Sequence, residues 1–510
     1  MMRRQIKLMG WLFVSALAAC TSETPNPADG GNAAENVQKL VINLSDGGDR
    51  LTTRAGRPLH SSEPGQWVQH VTLYVTNEQG IVLQKEIDEH VWANAVDYSN
   101  GKQLEVTFRA TEGEQLPAGD YTVYAVAFSK ETDYRITPEP NSNPEINAIE
   151  NGQINSSWVQ PFVFTNNFSA VLNSGVADAE EIFAGVAKVT AVTVGENNYL
   201  VPTKEVSDEV TAVYEKKEVP FITLNRQVAG TIGYFTNIPA TVNGVAPTKI
   251  RLVAANRNNT VGFFNMLSEE TVTSQNDKSQ TYVVNGTITG SPDYEMVDFY
   301  NTPGNKGYVV YEINLEDFFP YMKTCDNGFA GCDLDDDGYV GYKDVEAIDN
   351  PPTGIIMPTL EQYWTNPGNT EIHPQSLVKG SVYGSSFLIP FRWKEMYNTF
   401  ELQLLGVDAA GDEVFLKAWN VKVSENQLKT DQIPSVSTGV IVTVEGDKSQ
   451  SCFNVYRNHM YTLGEKDADG DGNDYDTPNT TDKPEDLSTE IELLITVNTQ
   501  WKHNETMTIK

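Results

Sequence analysis

Apolar residues recur at every second position in short runs along nearly the whole chain, and turn-forming residues separate the runs. Period-two alternation puts one face of a segment in a core and the other in solvent, so it builds half-buried strands rather than helices. In residues 37–44, Leu40, Ile42 and Leu44 face one way. Val71, Leu73 and Val75 do the same before the turn Asn77-Glu78-Gln79-Gly80, and residues 81–87 return as a hairpin partner. Residues 104–108 and 121–128 follow, the second introduced by Pro117-Ala118-Gly119-Asp120. Further strands are expected at 224–232, 250–254, 280–288, 307–313, 386–391, 399–405, 413–419 and 439–445. Helical periodicity is rare; residues 179–183 are expected to form a short helical turn. The expected fold is all-β, with two β-sandwich domains of transthyretin-like, Greek-key type.

The chain has 510 residues, enough for two or three domains. A fresh start at Val219-Pro220-Phe221 places a boundary near residue 218. The expected organisation is a signal segment at 1–20, a propeptide at 21–54, and sandwiches at 55–217 and 218–510, the second carrying two acidic insertions.

The N-terminus has its own pattern. Arg3, Arg4 and Lys7 precede a short apolar stretch at 8–16, and Leu17-Ala18-Ala19-Cys20 leads into a polar tether. That order is similar to a bacterial lipoprotein signal, in which Cys20 is lipidated; the alternative is ordinary secretory cleavage near Ala19. Either way the chain is expected to be exported. Beyond residue 20 no apolar run is long enough for a transmembrane helix, so contact with a membrane is expected only through the precursor's lipid.

The formal net charge of −33 disfavours nucleic acid and anionic membrane surfaces as partners. With Cys20 lipidated, Cys325, Cys332 and Cys452 remain. Export permits a disulfide, and Cys325 with Cys332, flanking a turn-rich segment, is the expected pair; three buried thiols are the alternative. No nucleophile, zinc or phosphate-loop motif is present, and the six histidines are scattered, so no enzymatic activity is expected.

Residues 333–344 carry Asp333, Asp335, Asp337 and Asp344 at positions 1, 3, 5 and 12 of an EF-hand-type loop. Gly338 stands at the sharp turn and the Tyr339 carbonyl at position 7. Calcium held as a structural clip is expected there, a solvated acidic loop being the alternative. Asp467, Asp469 and Asp471 begin a second such loop, but Pro478 stands where its last carboxylate belongs.

Three stretches together resemble the Bacteroidales fimbrillins, the subunits of type V pili, and most nearly the shaft subunit of the short fimbria. They are the lipoprotein start followed by a strand and the Arg54-Ala55 bond; Leu224-Asn225-Arg226-Gln227-Val228-Ala229; and the segment from Cys452 to Leu463, followed by an insertion and a last strand ending at Trp501. The resemblance implies a surface fimbria that supports adhesion or biofilm formation, with a precursor anchored in the outer membrane. It implies cleavage by an arginine-specific protease, removal of the first strand, and filling of the vacated groove by a neighbouring subunit's C-terminal strand. Implied partners are other copies of the chain, accessory pilins, and host or bacterial surface ligands. Arg54 before Ala55 is the preferred cut site, with Arg50 and Arg57 as rivals. The donor would be the run Ile491, Leu493, Ile495 and Val497; the alternative is an ordinary last strand of its own sandwich. Outside the fimbrial reading stands a permanently lipid-anchored, calcium-stabilised surface lipoprotein that binds glycan or protein.

Overall fold

The computed structural model describes residues 37–44, 68–128, 134–137, 146–161, 168–172, 179–203, 219–263, 282–284, 287–289, 307–319, 328–347, 378–389, 399–423, 431–434, 441–444, 460–464, 483–488 and 492–498, with short gaps inside these ranges and a few isolated residues between them. The fold is all-β.

The first sheet system contains β1 (Val37–Leu44), β2 (His70–Asn77), β3 (Gly80–Ile87), β4 (Val96–Tyr98), β5 (Gly101–Arg109), β6 (Gly119–Phe128), β7 (Phe183–Val194), β8 (Asn197–Pro202) and β9 (Phe221–Arg226). Their order is β3-β2-β6-β7-β9-β1-β5-β4, with β8 on β7. Only Phe183–Arg226 and Ala184–Asn225 link β7 to β9, so the path folds there into two facing halves. Leu40 and Ile42 from one half and Val71, Leu73, Val123 and Ala125 from the other share one core, which makes this a sandwich. The close approach at the fold needs Gly185: a Cβ there would stand 2.3 Å from the Thr223 carbonyl oxygen.

The second system contains β10 (Ala229–Thr236), β11 (Pro247–Ala254), β12 (Tyr308–Asn314), β13 (Ser381–Leu388), β14 (Phe400–Val407), β15 (Glu413–Val423), β16 (Met460–Leu463), β17 (Glu485–Asp486) and β18 (Glu492–Asn498). The order is β12-β11-β14-β15-β18-β16-β10-β13, with β17 on β10. Trp419, Phe235, Leu402, Leu404 and Tyr461 are the heart of its core.

That core runs on into the first system. Tyr74, Tyr124, Ile182 and Ala184 belong to it, and Phe168 makes edge contacts with Tyr74 at 5.7 Å, Tyr124 at 5.8 Å and Phe263 at 5.0 Å. Aromatic pairs in this geometry add to the gain from burial alone. A small sheet of Tyr134–Thr137, Ser169–Leu172 and Thr260–Gly262 lies over the junction.

Several expectations change. Residues 280–288, expected as one strand, hold two short ones, Tyr282–Val284 and Thr287–Thr289, paired antiparallel. Phe221–Arg226, expected to open the second sandwich, is β9 of the first, because its main chain pairs with β1 and β7 and Ile222 and Leu224 fill the first core. The chain crosses to the second sandwich at Gln227–Val228 rather than at 218. Residues 179–182 form no helix: Ala179 and Ile182 point into the second core while Phe183 points into the first.

Candidate functional site

The N-terminal slot is built around β1. All eight of its residues pair antiparallel with β5, from Val37–Arg109 to Leu44–Lys102. On its other edge, Val41 to Leu44 run parallel to Phe221 to Leu224 of β9. The Val41 amide donates to the Pro220 carbonyl at 2.9 Å. β1 is thus an interior strand, paired on both sides. Leu40, Ile42 and Leu44 are at most 1% exposed. Burial of each contributes on the order of 1.5–3 kcal/mol.

The same strand carries polar side chains that alternation does not reveal. The Gln38 carboxamide donates to the Leu116 carbonyl at 2.9 Å and accepts from the Leu116 amide at 2.8 Å, with both residues buried. Gln103 donates to Asn43 across the β1–β5 pair at 2.8 Å. Lys39 pairs with Glu105 at 2.8 Å on the open face.

The second arrangement is the acidic loop. A 3-10 helix, Gly328–Cys332, enters it, and α1 (Tyr342–Ala347) leaves it. Between them Tyr339–Val340 pairs antiparallel with Ile238–Pro239. Asp336 (φ 59°) and Gly338 (φ 89°) turn the backbone through the left-handed region. Asp333 accepts from the amides of Asp337 at 3.1 Å and Gly338 at 2.9 Å. Carboxylate oxygens of Asp333, Asp335 and Asp337 lie within 4.8 Å of one another. This all-oxygen donor set suits a hard divalent cation such as calcium.

Two neighbours shape that set. The Lys343 ammonium donates to Asp337 at 2.9 Å and pairs with Asp335 at 3.3 Å, and its hydrogen bond holds the Asp337 carboxyl below the ordinary range. Asp344 is not part of the cluster. Its two oxygens accept from Leu334 at 2.6 Å, Asp335 at 3.4 Å and Gly341 at 2.7 Å, so it clamps the loop's main chain. Burial raises the Asp344 carboxyl above its ordinary value against the pull of those amides.

The expected donor run is placed in its own sandwich. β18 pairs parallel with β15 through Asn420–Glu492 to Val423–Ile495 and antiparallel with β16 through Met460–Asn498 to Thr462–Thr496. Leu493 and Ile495 are buried in the second core and Leu494 is exposed. Val497 pairs with Tyr461, and Ile491 lies outside the described residues. Cys332 is buried, its thiol 3.8 Å from the Gly328 carbonyl; Cys325 lies outside the described residues. Cys20, Arg54, Ala55, Cys452 and the second acidic loop with Asp467, Asp469 and Asp471 also lie outside them. Among the described residues no helix is long and apolar enough to cross a membrane.

No family model matches the chain, and no curated protein matches it. Solved structures do. A candidate cell adhesion protein from Bacteroides eggerthii aligns at 10% identity over 92% of this chain and 97% of its own, with a TM-score of 0.34. A candidate adhesin from Bacteroides thetaiotaomicron aligns at 8% identity over 92% and 98%, also at 0.34. The fimbrial anchor protein Mfa2 from Porphyromonas gingivalis aligns at 10% identity over 91% and 98%, at 0.29. Likeness at this level carries no argument about what this chain binds or assembles with.

Proposed function

We propose that the chain is a structural subunit of a cell-surface fimbria, exported as a lipoprotein precursor and assembled by strand replacement. The observation that carries this reading is the position of β1. A strand paired on both edges and filling a core lies entirely upstream of the Arg54-Ala55 bond. A cut after Arg54 severs β1 covalently from everything it pairs with. Its release would expose main-chain groups of β5 and β9 and the apolar floor under Leu40, Ile42 and Leu44, a groove that accepts a strand from another copy. The subunit's own C-terminal run, with its matching alternation, is the proposed donor, and accessory pilins and surface ligands are the proposed further partners. Calcium at Asp333, Asp335 and Asp337 is the proposed structural cofactor.

One observation favours a second reading. β18 is already paired along both edges in its own sandwich, as in a chain that never exchanges strands. In that reading the protein stays lipid-anchored at the surface and binds glycan or protein. N-terminal sequencing of the surface form, with Arg54→Ala beside the parent, separates the two. A parent product beginning at Ala55 in detergent-resistant ladders, lost in the variant, supports the fimbrial subunit. An intact acylated chain in both supports the anchored protein.

A further inference from the structure

We infer that Gln38 is the register key of the β1 slot, and that the slot selects strands bearing a carboxamide two residues ahead of three alternating apolar side chains. The observation is the reciprocal pair of hydrogen bonds between the Gln38 side chain and the main chain of Leu116, closed inside the first core. Leu116 lies outside any strand, so β-ladder pairing does not supply these two bonds. A donor and an acceptor side by side on one residue match a primary carboxamide, which offers both. A carboxylate has no donor to give, and an ammonium has no acceptor.

Alternation alone resists a one-residue slip, which would turn the whole apolar face outward. A two-residue slip keeps the face, and here Gln38 acts in both directions. If β1 advances so that Leu40 takes the place of Gln38, the buried amide and carbonyl of Leu116 lose their partners. That slip also brings Asp46 to the place of Leu44. If β1 retreats, Gln38 enters the apolar site of Leu40 and buries a carboxamide without partners. In that second slip Asn36 arrives opposite Leu116, so replacing Gln38 by an apolar residue would remove the main obstacle to it.

The consequence for an incoming strand rests on the strand-replacement reading above. An occupant that keeps both Leu116 bonds runs antiparallel to β5 and parallel to β9 and presents Gln or Asn at the key position. The chain's C-terminal run presents Thr489 there if Ile491 occupies the Leu40 site, and Ile491 if Leu493 does. Neither is a carboxamide. The slot therefore discriminates in favour of its own β1 over the C-terminal strand while β1 remains attached, which makes covalent removal of β1 a requirement for exchange.

The test uses the intact chain, so it can fail without strand replacement failing, and the reverse. Lys39 stands opposite Thr107 in the observed register, whereas Val37 would stand opposite Thr107 after the two-residue retreat. Two versions are made, one with Lys39→Cys and Thr107→Cys, the other with Val37→Cys and Thr107→Cys. Oxidative cross-links are mapped by peptide mass. With Gln38 present, the 37/107 link should form at less than about a tenth of the 39/107 yield; with Gln38→Leu it should rise about tenfold, to a comparable yield. An unchanged ratio in Gln38→Leu overturns the proposal. Should Gln38→Leu cross-link at neither pair, Gln38→Met, of similar length without donor or acceptor, is read by hydrogen exchange. Faster exchange at the Leu116 amide with the β1–β5 amides still protected supports the key, and unchanged protection overturns it.

Discussion

Arg226, at the end of β9, donates from Nε to the Glu181 carboxylate at 2.7 Å, and both side chains are more than nine-tenths buried where the chain passes from the first sandwich to the second. The Arg226 guanidinium also lies 5.2 Å from the centre of the Phe183 ring. The pair thus ties the last strand of one sandwich to the approach into β7. Breaking a buried pair from one side leaves an uncompensated charge and costs about 3–5 kcal/mol. Replacing both partners with apolar side chains of similar volume removes that penalty. Glu181→Leu and Arg226→Met should each be strongly destabilising, and the double variant should recover most of the loss. A double-mutant cycle in chemical denaturation measures the coupling; additive losses would mean that the charges do not act as a pair.

The bounds of β1 coincide with the run read from alternation, because Leu40, Ile42 and Leu44 all face one core and nothing else competes for them. Alternation reports which face of a strand is buried, not which strand lies beside it. Alternation therefore does not assign Phe221–Arg226 to the first sandwich: its partners β1 and β7 are set by long-range pairing. Residues 179–183 failed for a related reason. The spacing of Ala179, Ile182 and Phe183 looks helical only if one core receives them all, and here two cores divide them.

The acidic loop was legible as a loop, since the left-handed turn at Gly338 and the Asp333 caps follow from local spacing. The separate duties of Asp344 and Lys343 were not, because they depend on how α1 folds back over the loop. Gln38 and Leu116 are 78 residues apart, and no local pattern joins them.

Glu401 gives a pH prediction. It is fully buried in β14; one carboxylate oxygen accepts from the Gly304 amide at 2.9 Å and from Gln403 at 2.6 Å, and among the described residues nothing donates to the other. Burial pushes its carboxyl above the ordinary value, although Gln403, Gly304 and Arg251 pull the other way. A raised folded-state pKa means that the folded chain holds the proton more tightly than the unfolded chain. The contribution to stability is therefore present below the unfolded value and is lost as pH rises through the folded one. Glu401→Gln keeps the acceptor and removes the charge. The variant should be more stable than the parent at about pH 8, and the difference should shrink toward about pH 4. Denaturation at both values checks the sign; a variant less stable at the higher pH would refute it.

Calcium at the acidic loop should be visible as stability. A ligand that binds only the folded state at one hundred times its dissociation constant adds about 2.7 kcal/mol. Calcium should raise the calorimetric midpoint of the parent, and Asp333→Ala should abolish the rise. Because Lys343 occupies the carboxylates of Asp335 and Asp337, Lys343→Gln should tighten calcium binding rather than weaken it. Isothermal titration of the three proteins distinguishes this from a solvated acidic loop, for which none of them would respond.

The last prediction concerns β18, where residence at home and donation to a neighbour have to be told apart. Leu493 and Ile495 fill the second core and Leu494 faces solvent on the same strand. Truncating a buried leucine or isoleucine to alanine costs about 2–5 kcal/mol, whereas an exposed position is nearly neutral. Ile495→Ala should therefore lower the stability of the second sandwich in the unassembled chain, and Leu494→Ala should not. Loss of fibres in Ile495→Ala alone cannot identify a donor, since a damaged domain would also fail to assemble. A cross-link separates the two roles. With Lys39 and its strand cut away, Gln103→Cys or Glu105→Cys on the vacated edge of β5 should capture Leu494→Cys of another copy if β18 exchanges, according to whether Ile491 or Leu493 takes the Leu40 site. If that cysteine is captured only within its own chain, by a cysteine placed at Lys422 of β15, then β18 stays in its own sheet and the groove left by β1 is filled by a different strand.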